Sequence, residues 1–470
     1  MNRLRRDSVA PDAGMSLIEV LVALMVFGIL STGVVAGMIT IVRMTDDNRA
    51  RVAAAGLAAQ DIALARSVGD PFALAGASGG QVTTSTATVG SRTYTVTRTV
   101  NLVSSAGADA TCAASDIFYA RVNTTVTWPG RIAAAPVRDD TLVASQGRIN
   151  DAATGTMTVS VIGADGTPRQ GVSVTVTPTS GGSALTTQPA DTDVNGCTRA
   201  LGLTPGTYSV QLTEPGFKDV QQVANPSKTV IVTAGANQAV SFQYDRTATF
   251  RTAYVPWPVA YTATTPLLPT NLDTTFLNST SGPYTTSSPA PSVALHPFPS
   301  GYTAVAGTPS DSTGTTTCAA NDPRAWGGTT SGGPSRATGV AATAAAPAGG
   351  STDFTTAYGS TTSTGIPMGV VELKYSTPLT ATLITATTAT PPAGTANPGC
   401  TTTRTYSFSG LTLSSRAALL LPYGSYTINV TVLGLGLLQV PASYLSVPTN
   451  VANDGVSSTG VVTLDPRPRS

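Results

Sequence analysis

The sequence predicts an α+β chain: one long N-terminal helix with an antiparallel sheet, followed by two mainly-β sandwiches. Three observations carry this. A long apolar run spans residues 17–42, and Pro-free sequence rich in Ala and Leu continues from it to residue 68. Beyond residue 80, apolar residues recur with period two, the pattern of half-buried strands. Gly (46) and Pro (33), with abundant Thr, Ser and Val, suit short strands joined by turns. With 470 residues the chain has room for about two to four domains.

The apolar run holds one ionisable residue, Glu19. A helix needs about 20 apolar residues to cross a bilayer, whereas the apolar part of a secretory signal spans about 7–15. The run is therefore expected to span a membrane. The preceding arm "MNRLRRDSVAPDAG" carries Arg3, Arg5 and Arg6 against Asp7 and Asp12. By the positive-inside rule that end stays in the cytoplasm and everything after Val42 is exported. A carboxylate in the apolar layer costs a few kcal/mol, so Glu19 is a functional residue that needs a partner. The helix continues through "RMTDDNRARVAAAGLAAQDIALARSV" (43–68), made mostly of good helix formers. Val52, Ala55, Ala59 and Ile62 are expected on its buried face. "GDP" (69–71) ends it, giving a rod about 80 Å long at 1.5 Å per residue. Gly28, Gly33 and Gly37 suit close helix packing or local melting.

The sheet follows. "RTYTVTRTVNLV" (92–103) puts Tyr94, Val96, Val100 and Leu102 on one face; "DIFYARVNTTVTW" (116–128) does the same with Phe118, Ala120, Val122, Val126 and Trp128. Strands at 81–89 and 140–149 flank them, giving antiparallel pairing with one buried face. After the linker "NDAATG", "TMTVSVIGADGTPRQGVSVTVTP" supplies two strands with Met157, Val159, Val161 and Val172, Val174, Val176 inward. "LTPGTYSVQL" (203–212) returns as "LPYGSYTINV" (421–430), an internal repeat. The expected organisation is residues 15–149 as helix plus sheet, 155–245 as the first sandwich and 246–470 as a second β domain. Residues 327–351 are a flexible loop by composition.

Gly14, then Met15, then "SLIEV" with Glu19 fifth after the glycine, resembles the class III signal of type IV prepilins. Met15 stands where Phe is commonest. The resemblance implies that residues 1–14 are a cytoplasmic leader, cut after Gly14 by a prepilin peptidase that also methylates the amine of Met15. The new cationic amine would then give Glu19 of a neighbouring subunit its partner, since two charges in hydrocarbon are tolerable when paired and costly when single. The "DVNGCTRALGLTPGTYSV" stretch (193–210) resembles the carboxypeptidase-regulatory or Cna B-type fold, a small transthyretin-like sandwich. Such domains often carry a Lys–Asn isopeptide bond. The first strand here has no lysine, so none is expected.

Other chemistry is excluded or weak. Charged residues are 11% and the net charge is +1, which argues against nucleic-acid binding. The four cysteines, Cys112, Cys197, Cys318 and Cys400, all follow the membrane segment, and an even count in an oxidising space reads as two disulfides. Of three pairings, Cys318–Cys400 is favoured, leaving Cys112–Cys197. No CxxC is present, so no zinc site is expected. The one histidine, His296, reads as a loop residue beside Pro297. "DTDVNG" (191–196) imitates the start of a calcium loop, but Gly202 stands where the bidentate Glu belongs; a turn explains it better. Trp257 and Trp326 read as core residues. No catalytic constellation, metal site or cofactor motif stands out.

Together these readings give a non-enzymatic minor pilin of a type IV pilus, structural and adhesive, at the tip or sparsely inserted. It would be single-pass in the cytoplasmic membrane before assembly and at the cell surface afterwards. Its partners would be other pilin subunits, prepilin peptidase, the membrane, and a surface ligand or host receptor. The alternatives are a minor pseudopilin of a type II secretion or DNA-uptake system, and a membrane-anchored glycan-binding surface protein.

Overall fold

The structure, a computed structural model, describes residues 16–68, 74, 80–104, 112, 117–129, 136–144, 153–258, 260–309, 317–327, 339–358, 361–374, 379–409, 412–413, 416–432, 436–447 and 455–467. The leader, Gly14 and Met15 lie outside the described residues. The chain forms two compact units: residues 1–110 with 114–149, and residues 111–113 with 150–470.

In the first unit, helix α1 runs Leu17–Val68 without a break. Four strands follow: β1 (Gly80–Val89), β2 (Arg92–Ser104), β3 (Ile117–Thr127) and β4 (Val137–Ala144). They form an antiparallel meander in chain order. β4 begins three residues earlier than its alternation suggests, Val137 pairing with Val126. The register sets Val96 against Val126, Val100 against Val122 and Leu102 against Ala120. These side chains, with Tyr94 and Trp128, are buried.

Helix α1 meets this sheet with Ala50, Ala54, Ala58, Ile62 and Ala65. That corrects the expected face: of its four residues only Ile62 is buried, and Val52 is 74% exposed. The reason is volume. Tyr94 and Trp128, with ring centroids 5.8 Å apart, fill the space beside Ala50, Ala54 and Ala58. Only a methyl group fits on the helix there, so the smallest ridge turns inward and the β-branched residue turns out.

In the second unit, residues 155–246 form a two-sheet sandwich. One sheet is ordered β10 (Ser227–Val232), β8 (Gly206–Thr213), β6 (Ser173–Ser180); the other is β7 (Cys197–Leu203), β5 (Gly155–Ile162), β11 (Asn237–Arg246), β9 (Phe217–Asp219). β5 and β11 pair in parallel although some 80 residues separate them. The core between the sheets includes Met157, Val159, Val161, Val174, Val176, Val210, Leu212 and Phe242.

Residues 248–464 share one larger core holding Phe250, Phe276, Trp326, Phe354 and Phe408. The internal repeat has a structural basis here. Tyr208 donates to the carbonyl of Thr204 at 2.8 Å, and Tyr426 to that of Pro422 at 2.9 Å. In both copies a fully buried tyrosine ties the strand back to the turn that feeds it. The glycine two residues earlier is required in each: a Cβ on Gly206 would meet the Gly182 backbone at 2.2 Å, and Gly424 has φ +146°. Composition marks 327–351 as loop, yet Ala342–Ala344 is a strand paired with Tyr302–Ala306. Its small side chains suit a crowded core, where Ala342 is fully buried. Residues 328–338 lie outside the described residues. Disulfides join Cys112 to Cys197 and Cys318 to Cys400.

Candidate functional site on the N-terminal helix

The first half of α1 has an unusual surface. Eighteen large apolar side chains between Leu17 and Met44 are exposed. Burying each is worth about 1.5–3 kcal/mol, so leaving them in water is unfavourable by tens of kcal/mol. This surface demands an apolar surrounding, either lipid or other helices. Its polar groups are few and mostly satisfied internally: the Thr32, Thr40 and Thr45 hydroxyls donate to carbonyls three or four residues back, at 2.8, 2.9 and 2.8 Å. Among the described residues, this is the one helix long and apolar enough to cross a membrane.

Glu19 interrupts that surface. Its backbone N–H donates to the Ser16 carbonyl at 2.9 Å, so it lies in the opening turn, where the helix dipole favours a carboxylate. Its side chain is exposed among Leu17, Ile18, Val20 and Leu21. Gly14 and Met15 precede the described residues. Gly28, Gly33 and Gly37 are open: a Cβ at any of them would meet nothing within 4 Å. Nothing in the fold of the described chain therefore requires glycine there. Gly33 and Gly37 are four apart, the spacing at which helix backbones approach closely.

The second half of α1 is fastened to the sheet by a polar lock that sequence reasoning missed. Asp61 accepts from Arg98 Nε at 2.9 Å, Arg98 Nη2 at 2.5 Å and Thr124 Oγ1 at 2.7 Å. One turn on, Arg66 donates twice to Thr141 Oγ1, at 2.9 and 2.7 Å. Burial pushes the Asp61 carboxyl up, but the Arg98 and Thr124 hydrogen bonds and the Arg98 charge outweigh it and hold it below the usual carboxylate value. Arg98 falls in line with Val96 and Val100 on alternate residues, which marks it as a cation on a core-facing strand surface. That was the available signal.

Elsewhere, the "DTDVNG" segment is a turn. Asp193 Oδ1 accepts from the backbone N–H groups of Asn195 and Cys197, both at 2.9 Å. Trp257 and Trp326 are buried. His296 lies, as read, in a loop, directly after the strand Ser292–Leu295, and it is fully buried there. Among the described residues, no group of three or more His, Cys, Asp or Glu is placed to hold a metal.

Comparisons with known proteins bear on the same segment. The family model of the prokaryotic N-terminal methylation motif matches residues 10–35. The chain thus carries a prepilin-type N terminus, ahead of β-rich domains. No curated protein sequence matches the chain. Among solved structures, the Bacillus anthracis TIE protein matches at 12% identity, over 77% of this chain and 70% of that one, with a TM-score of 0.18. A streptococcal ancillary pilin matches at 9% identity, over 40% of this chain and 66% of that one, TM-score 0.18. The major pilin subunit of Bacillus cereus matches at 12% identity, over 59% and 88%, TM-score 0.19. These scores are too low to define a shared overall arrangement.

Proposed function

We propose that the protein is a minor pilin of a type IV pilus, a structural and adhesive subunit without enzymatic activity. The observation that carries this reading is Glu19, exposed five residues after Gly14 in a helix whose apolar surface is open on all sides, within the matched methylation motif. Prepilin peptidase cuts after Gly14 and methylates Met15. The helix anchors the subunit in the membrane as a single span, then moves into the filament core. There the Glu19 carboxylate pairs with the terminal amine of a neighbour. Two β domains beyond the first unit make a head too bulky to repeat at every position of a closely packed filament. The subunit therefore sits at the tip or is sparsely inserted, presenting its β domains to a surface ligand or host receptor.

The test is mass spectrometry of the N-terminal peptide from cells with and without prepilin peptidase, joined to Glu19→Ala. A chain starting at methylated Met15 only when the enzyme is present, with Glu19→Ala lost from sheared filaments yet retained in membranes, supports the reading. A chain still starting at Met1 overturns it. Correct processing with no filament incorporation points instead to a pseudopilin of a secretion or DNA-uptake machine.

A further inference from the structure

The second unit contains a sealed polar network that the filament reading does not use. His296 is the chain's one histidine. Its Nδ1 lies 2.9 Å from the carbonyl oxygen of Lys218, in β9 of the sandwich. Its backbone N–H donates to Oε1 of Gln222 at 2.8 Å, and its carbonyl accepts from the Tyr302 hydroxyl at 2.7 Å. Gln222 Nε2 donates to that same hydroxyl oxygen at 2.8 Å, which closes the ring. Lys218 Nζ also donates to the Ala294 carbonyl, at 2.8 Å. Gln222 is held at φ +68°, a left-handed conformation unusual for a side-chain-bearing residue. The turn at 217–224 of the sandwich is thus clasped by residues 292–302 of the C-terminal domain.

The weak point of the clasp is the other imidazole nitrogen. Nε2 is buried and has no hydrogen-bond partner. The Lys218 carbonyl can only accept, so Nδ1 carries the proton of the neutral ring and Nε2 is a bare acceptor. That is tolerable while the ring is neutral. A second proton would place a cation and an unanswered donor in a closed site. The surrounding charges do not rescue it. Asp245, on β11, is taken up by both Nε and Nη2 of Arg169 and by the Ala164 N–H. Asp219, on β9, accepts from the N–H groups of Gln221 and Val223. From the C-terminal domain, Tyr302 is committed to the ring of bonds, and Phe298 sets its ring edge-on to the imidazole at 4.7 Å.

We propose that His296 is an acid-sensitive clasp between the sandwich and the C-terminal domain: neutral, it holds them as one body; protonated, it releases the 217–224 turn. Burial pushes the imidazole pKa below its ordinary 6.5; the Lys218 carbonyl, Asp245 and Asp219 oppose this, and Arg169 adds to it. A histidine depressed in the closed state supports that state fully above the open-state value. The support is lost as pH falls from about 6.5 toward the closed-state value, by up to about tenfold per pH unit. A subunit carried into an acidic surface environment would loosen at this joint and nowhere else by this route.

Because the chain has one histidine, labelling histidine with 13C and 15N gives a single imidazole signal from the full-length protein in detergent micelles. Hydrogen exchange of the 214–224 and 292–302 segments, corrected for intrinsic rates, reports the clasp. The expected result is an Nδ1–H tautomer at pH 7.5, then protonation below pH 6.5 together with about a tenfold or greater loss of protection in both segments. His296→Gln should remove the pH dependence. Tyr302→Phe, which keeps the imidazole but cuts the ring of bonds, should lower protection already at pH 7.5. Protonation without lost protection, or the same acid response in His296→Gln, overturns the proposal. Neither outcome depends on whether the chain enters a filament.

Discussion

Asp61 interrupts the apolar seam between helix and sheet, and it is tolerated because three donors converge on it. Its side chain and that of Arg98 are 15% and 23% exposed, so solvent screens the pair only in part. Asp61→Asn should destabilise the first unit by about 1–3 kcal/mol, read as a lower urea midpoint at pH 7. The sign with pH follows from the direction of the shift. The carboxyl is held below its ordinary 3.8, so its contribution is complete above that value and disappears as pH falls through the lowered one. Wild type and Asp61→Asn should therefore draw together as pH falls below 3.8; a gap that does not narrow there would remove the ion pair from the explanation. At this scale legibility depends on distance along the chain. Glu19 was legible because its whole context, glycine, methionine and apolar run, lies within a few residues. His296 was not, because Lys218 and Gln222 lie 78 and 74 residues away and nothing near Pro297 announces them.

Among the elements, α1 is the most informative. Its ends were legible, since an unbroken stretch of helix formers stops at a Gly-Asp-Pro sequence. The strands of the first unit were legible from alternation, and so was the sequence repeat that the two tyrosine-to-turn bonds explain; the short strands between 248 and 358 were not, since runs of three to five residues leave too little alternation to read. The buried face of the second half was not. Hydropathy prefers Val52 to Ala50, and only the aromatic pair on the sheet decides between them. This makes a sharp prediction. Ala54→Leu should overpack the seam and cost about 1–3 kcal/mol. Ala55→Leu, one residue along and exposed, should be nearly neutral. Chemical denaturation of both in the same detergent separates them; equal effects would mean the alanine ridge is not the packing face. Similarly, β5 and β11 each alternate as strands should, but periodicity carries no information about which distant strand pairs with which, or in what direction.

As a whole the molecule combines surfaces meant for different solvents. The front of α1 is stable only among lipids or other helices, while the β domains carry disulfides suited to an oxidising exterior. Each bridge closes a long stretch: Cys112–Cys197 spans 85 residues and Cys318–Cys400 spans 82. By loop-closure entropy each contributes about 4.5 kcal/mol. Cys318→Ser with Cys400→Ser should lower the thermal midpoint of the second unit clearly, and reduction of wild type, which also opens Cys112–Cys197, should lower it further. No change in either would place the bridge outside the cooperative unit. The continuous helix has one further consequence. A pull on its greasy end runs along the helix axis, parallel to the seam with the sheet. The alanine ridge, the Asp61–Arg98 lock and the Arg66–Thr141 bonds are then loaded together, in shear, instead of one after another as in peeling. A joint arranged this way resists tension through the number of contacts acting at once, so a subunit can be weakly stable against heat and still be hard to pull apart.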